Sequence, residues 1–206
     1  METNLVVISL DYDDCGDILF DEQISILYNE LEKQKATAYQ YYFRNYLCEI
    51  TKSKSVELYV GSLRQSYDLD KKNENEYGNG SCFKNYRKLS EIMRWKFNEF
   101  SCGNDLSEFG VVSFSSRTAK NKIVETQLLN ISKEHPDKLI DYYFFDDDAQ
   151  NSILPSVASH LSNITIPKNI VNIHLIKHDW VPLIYNNIKN QTITLKAHIK
   201  NNGKHT

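Results

Sequence analysis

Two carboxylates close an apolar run near the start of the chain, in the stretch Leu5 to Asp17, LVVISLDYDDCGD. An apolar run of about six residues reads as a strand buried on both faces, as at the centre of a parallel sheet. Ligands of such sheets gather beyond the carboxyl ends of the strands. Successive strand residues point to opposite faces, so Asp11 and Asp13 share one side while Tyr12 turns away. Like charges that close are costly unless a cation or a shared proton offsets them. The same residues would also serve as an ordinary turn or helix cap, where Asp is common. A second acidic cluster bears on that choice. Residues 141–150, DYYFFDDDAQ, read as an apolar strand running into Asp146, Asp147 and Asp148, with Asn151 just beyond. A divalent metal ion is the simplest compensating charge for carboxylates gathered at a sheet mouth.

Other polar residues fall at comparable places. The run VELYV, Val56 to Val60, predicts a strand that stops at Gly61-Ser62, with Arg64 following. Ser62 can donate a hydrogen bond to an anion there, and Arg64 offers a forked cationic donor. Ser62 equally suits a helix N-cap. The polar segment from Ser115 to Lys122 carries Arg117, Lys120 and Lys122 and leads into a helix. A lysine in that position is ordinarily a solvated charge.

The elements that must position these groups alternate between strand and helix. Ile24, Leu27, Tyr28 and Leu31 predict an amphipathic helix over 21–33, and the Tyr-rich stretch 37–52, free of Gly and Pro, predicts a second. Residues 68–81, with Gly78 and Gly80, read as a loop or flap. Tyr86, Leu89, Met93, Phe97 and Phe100 predict a helix over 83–100 that ends near Cys102-Gly103. A short strand follows at 109–114. Val124, Leu128 and Ile131 then carry a helix to His135-Pro136. A helix over 152–161 and strands over 170–176 and 192–199 complete the pattern. His178 and Asp179, in the loop 177–180, read as surface residues.

At 206 residues the chain fits a single domain spanning 1–206, with helical and loop insertions around 20–55 and 66–118. A hydrophobic content of 41% and a charged content of 25% are ordinary for a globular protein, and a net charge of -3 leaves no footprint for nucleic acid. No apolar stretch approaches the roughly 20 residues that span a bilayer, and METN leads into a strand without a signal-peptide pattern. The cysteines Cys15, Cys48, Cys82 and Cys102 lack metal-ligand or disulfide spacing, so the expectation is reduced thiols and a cytoplasmic location.

Taken in order, these strand ends resemble the haloacid dehalogenase superfamily, whose short motifs occur in the same sequence. An apolar strand closing on D-x-D is matched by Asp11-Tyr12-Asp13, and a strand ending in Ser or Thr by Ser62. A Lys at a helix start is matched by Lys122, with Lys120 as its rival, and a strand ending in D-D-x-x-x-N by Asp146, Asp147 and Asn151. The similarity covers residues 5–151. It implies a Rossmann-like three-layer α/β/α fold with a mainly parallel central sheet and, given the short segments between motifs, a minimal cap. It implies a Mg²⁺-dependent phosphatase acting on a phosphorylated small molecule or phosphoprotein. Asp11 would be the nucleophile, Asp13 the acid and base, and Ser62 and Lys122 the phosphate ligands. Asp11, Asp13 through its backbone carbonyl, and Asp146 would hold the metal, with Asp147, Asn151 and Arg64 in support. One departure is the run Cys15-Gly16-Asp17, since the family usually has Thr or Val two residues after the second Asp. The alternative is a catalytically weak binding or interaction protein of the same fold, of the kind found among effectors of intracellular bacteria and delivered into a host cell without a Sec-type signal.

Overall fold

The computed structural model describes residues 4–27, 29–78, 80–99, 116–185 and 196–200. At its centre is a sheet of order β3-β2-β1-β4-β5-β6. The strands are β1 (Leu5–Leu10), β2 (Ser55–Val60), β3 (Lys96–Asn98), β4 (Ile140–Asp146), β5 (Ile170–Lys177) and β6 (Lys196–Lys200). β1 to β5 run parallel and β6 is antiparallel to β5. The helices are α1 (Asp21–Ser25), α2 (Glu30–Thr51), α3 (Tyr67–Tyr77), α4 (Cys82–Met93), α5 (Ser116–Glu134), α6 (Ile153–Ser162) and α7 (Val181–Tyr185).

Both faces of the sheet are covered, which gives the Rossmann-like α/β arrangement expected from the sequence. Val6, Ile8 and Leu10 pack with Phe43 and Leu47 of α2 and with Phe83, Tyr86 and Leu89 of α4. Leu5 and Val7 pack on the other side with Val124, Leu128 and Ile131 of α5 and Leu154, Val157 and Leu161 of α6. Burial on both faces is why β1 reads as an unbroken apolar run. β1 lies between β2 and β4, so the strand order reverses beside it and a crevice opens at the carboxyl ends of β1 and β4.

Several elements differ from expectation. The helix expected over 21–33 is broken: α1 ends at Ser25, and α2 starts afresh because the Asn29 side chain accepts a hydrogen bond from the Glu32 amide at 2.8 Å. Leu31, placed on the buried stripe of that helix, is exposed. The loop expected over 68–81 is largely helix α3, capped by Ser66 and ended by Gly78 in the left-handed region. The helix expected over 83–100 stops at Met93, where Arg94 takes φ 57°, and Lys96–Asn98 becomes an edge strand beside β2. Phe97 therefore does not extend the helical stripe. Phe100, Cys102-Gly103, the strand at 109–114, Tyr28 and most of 192–199 lie outside the described residues. No helix among the described residues is long and apolar enough to cross a membrane.

Candidate functional site

The end of β1 delivers Asp11. Its amide bonds Phe145 O of β4 at 2.9 Å, so the ladder holds the backbone up to the point where the carboxylate emerges. The chain then folds into the irregular turn Tyr12–Gly16, with Asp13 extended and Asp14 left-handed at φ 56°. Gly16 closes that turn by donating to Asp11 O at 3.0 Å. A Cβ at Gly16 would meet the Tyr86 hydroxyl at 2.6 Å and Asp11 O at 2.7 Å, so no other residue fits there without displacing the backbone of the site. Cys15 is buried with its Sγ 3.6 Å from His178 Nδ1, and Asp17 accepts from Trp180 Nε1 at 2.8 Å.

β4 delivers the second cluster. Asp11, Asp146 and Asp147 each present a carboxylate oxygen within 4.8 Å of the others. Asp148 faces elsewhere: its oxygens accept from the amides of Ser152 and Ile153, both at 2.7 Å, and of Leu154 at 3.2 Å, capping α6. Into the cluster α5 projects Lys120, only 4% exposed, with Nζ 2.9 Å from Asp11 Oδ1 and 2.7 Å from Asp146 Oδ2. The contact with Asp146 is one of charge. Neither Nζ nor Asp146 Oδ2 has a well-directed hydrogen bond among the described residues, although both are buried.

Protonation follows from this crowding. Burial is the main cause that raises Asp11, to about 7, with Asp146 and Asp147 adding to it and Lys120 opposing. Asp147 rises to about 6, again mainly through burial and then through Asp146. Burial alone would lower the Lys120 ammonium, but the charges of Asp11 and Asp146 outweigh it and hold the group protonated. One ammonium against three carboxylates leaves local negative charge. An all-oxygen set of carboxylates that outnumbers the nearby ammonium could hold a hard divalent cation.

A cavity of about 300 Å³ opens over the cluster, lined by Asp11, Asp13, Ser62, Arg64, Lys120 and Asp146 together with Asn73 of α3 and Ile153 of α6. The expected residues Asp11, Asp13, Ser62, Arg64, Asp146 and Asp147 therefore meet at one place. Lys122 does not. Its side chain is 42% exposed and pairs with Glu125 at 3.1 Å, so the lysine at the carboxylates is Lys120, the rival. Two helical residues turn the side chain by about 200°, which puts Lys120 on the buried face and Lys122 on the outer one. Asn151 is also elsewhere: its Oδ1 accepts from Lys177 Nζ at 2.8 Å on the surface. Asp147, expected to support Lys122, joins the acidic cluster instead. Arg64 is directed at Asp13 rather than held open for an anion, with Nη2 2.5 Å from Oδ1 and Nε 3.1 Å from Oδ2.

Sequence reasoning missed Asp70, which sits in the segment read as a loop and accepts from Arg64 Nη1 at 3.3 Å. His178 is not a surface residue. Its ring stacks on Phe43 at 3.6 Å between centroids, and burial lowers its pKa to about 3, so it is a neutral packing group. The other acidic group among the described residues, Glu57 with Glu134 and His135, has its buried Glu57 engaged by Lys96, Asn98, His135 and Tyr59, the arrangement of a structural ion-pair network.

Comparison with family models, with curated proteins and with solved structures finds no match to this chain.

Proposed function

We propose that this chain is a Mg²⁺-dependent phosphomonoester phosphatase of the haloacid dehalogenase type, working through an aspartyl-phosphate on Asp11. The observation that supports this most is the buried meeting of Asp11, Lys120, Asp146 and Asp147 under a cavity that also exposes Ser62 and Asp13. Phosphoryl transfer needs a nucleophile in line with the leaving oxygen, fixed cations for the equatorial oxygens, and a proton for the alkoxide that departs. Each requirement has an occupant here.

Asp11 Oδ attacks phosphorus as the bond to the leaving oxygen breaks, and Asp13 gives that oxygen its proton. Asp13 then removes a proton from a water that attacks the same phosphorus, which breaks the Asp11–phosphorus bond and frees inorganic phosphate. Lys120 and Ser62 hold the phosphoryl oxygens, and Lys120 also favours the ionised form of Asp11, which burial opposes. A Mg²⁺ ion held by Asp11, Asp146 and the Asp13 carbonyl, with Asp147 beside it, would neutralise phosphoryl charge and lower the pKa of the nucleophile. The cavity admits a phosphate and a small leaving group, or the tip of a phosphorylated side chain. The segment bearing α3 and α4 would act as the minimal cap.

Beryllofluoride stands in for a phosphoryl group on an aspartate. Fluorine NMR should show a bound beryllofluoride in the presence of Mg²⁺, lost in Asp11→Asn and in Lys120→Ala. Binding that survives Asp11→Asn would remove Asp11 as the covalent residue.

A further inference from the structure

Arg64 is the largest of the fully buried side chains among the described residues. Its guanidinium lies 4.8 Å above the Tyr12 ring, and its N–H groups are nearly all assigned. Nε and Nη2 grip the two oxygens of Asp13, while Nη1 donates to Asp70 Oδ1 at 3.3 Å and to Gly80 O at 2.8 Å. Among the described residues this leaves one Nη2 proton for a ligand, since the group has five N–H donors. Asp70 is itself pinned. It accepts from the Cys82 amide at 2.8 Å, the Phe83 amide at 3.3 Å and the Ser81 hydroxyl at 2.5 Å, all at the start of α4. Tyr12, under the guanidinium, is tied to α4 as well, accepting from Asn85 Nδ2 at 2.7 Å.

Asp13 is the group that this two-pronged grip holds. It sits in an irregular turn, its side chain is 39% exposed, and the next residue is left-handed. Proton transfer requires the oxygen within about 2.6–3.2 Å of its target. A two-pronged guanidinium fixes both the position and the plane of a carboxylate, and each oxygen keeps a second lone pair for the proton. We propose that Arg64, backed by Asp70 and the first turn of α4, is the positioning residue that aims Asp13 at the leaving oxygen. This rests on the phosphatase reading above. It assigns the arginine to proton transfer and leaves phosphate binding to Ser62 and Lys120. It also gives the α3–α4 segment a task, because Asp70 links that segment to Asp13 through Arg64.

The test is the leaving-group dependence of the first turnover, with enzyme in excess over substrate, which reads the phosphorylation step alone. Two substrates of equal charge suffice: para-nitrophenyl phosphate, whose leaving group departs without a proton, and 2-phenylethyl phosphate, whose alkoxide needs one. In Arg64→Lys, which cannot fork, and in Asp70→Asn, release of the alcohol at saturating enzyme should fall by about 100-fold or more. Release of para-nitrophenol should fall by less than about 10-fold, the half-saturating concentrations should hold, and bound beryllofluoride should persist in the fluorine spectrum. Should Arg64→Lys fail to fold, Asp70→Asn, which preserves shape and an acceptor oxygen, carries the same comparison. Equal losses on both substrates, a weakened half-saturation without a rate loss, or no loss on the alkyl phosphate would each overturn the proposal while leaving the phosphatase reading intact. No turnover of either substrate by the unmutated protein would instead bring down the phosphatase reading, and the proposal with it.

Discussion

Lys120 and Lys122 are separated by one residue and by nearly half the circumference of α5. Val124, Leu128 and Ile131 mark the buried stripe of that helix, and stepping back four residues from Val124 lands on Lys120. The information is thus present in the sequence: a lysine at a helix start fits Lys122 or Lys120, and the apolar stripe followed back from Val124 separates them. Lys120→Ala should reduce phosphate release by at least about 100-fold, as expected for loss of a cation that contacts Asp11 and Asp146 and, in the proposed mechanism, phosphate, while Lys122→Ala should stay within about two-fold. A colorimetric phosphate assay on the two variants decides the matter, and the reverse pattern would return the role to Lys122. Asp17 supplies a second test at this scale. Burial raises its pKa from 3.8 to about 8 against the opposing hydrogen bond from Trp180. Between those values the folded protein binds more protons at this site than the unfolded chain, so stability falls as pH rises through that interval. Melting temperature should therefore drop from pH 6 to pH 8, and Asp17→Asn should flatten that slope. An unchanged slope in the variant would show that Asp17 does not carry it.

At the scale of elements, β1, β2, β4, β5 and the core of α5 were legible because each carries a mostly apolar run or a helical stripe. What was not legible depends on local caps and on neighbours distant in sequence. Asn29 interrupts a plausible stripe, α3 is a polar helix with little apolar face to announce it, and β3 pairs with β2 through only a short register. The site divides in the same way: strand-end carboxylates could be found by alternation, whereas the Arg64–Asp70 pair becomes visible only when α3 and α4 are folded against the turn after β1. Asp148 shows how one residue in an acidic run can be taken by an element rather than by a ligand. Its carboxylate caps α6, so Asp148→Ala should destabilise the protein by about 1–2 kcal/mol, read as a lowered urea midpoint. Asp147→Ala, which contributes a single bond to the Ala149 amide, should cost less. Equal losses would mean that the cap is not what distinguishes the two.

Across the whole molecule, the parallel order places two acidic strand ends side by side at the point where the sheet's connections reverse. Asp11 comes from β1 and Asp146 from β4, neighbours in the sheet that are far apart in the chain, and Lys120 reaches them from the helix that precedes β4. Among the described residues the cavity is lined by more carboxylates than cations, with Asp13 paired to Arg64 and Asp148 turned to its helix. A divalent ion bound there should stabilise the fold by mass action, about 2.7 kcal/mol at a hundred times its dissociation constant. Mg²⁺ should accordingly raise the melting temperature of the unmutated protein and not that of Asp146→Asn; an equal rise in both would put the ion elsewhere. The central claim, Mg²⁺-dependent phosphoryl transfer through Asp11, is tested most directly by phosphate release from an aryl phosphate. The unmutated protein and Asp11→Asn are to be measured side by side, each with Mg²⁺ and with a chelator. Release by the unmutated protein with Mg²⁺, and in none of the other three combinations, is the result expected. Release by Asp11→Asn at a near-unmutated rate, release that ignores the chelator, or no release in any of the four would contradict it.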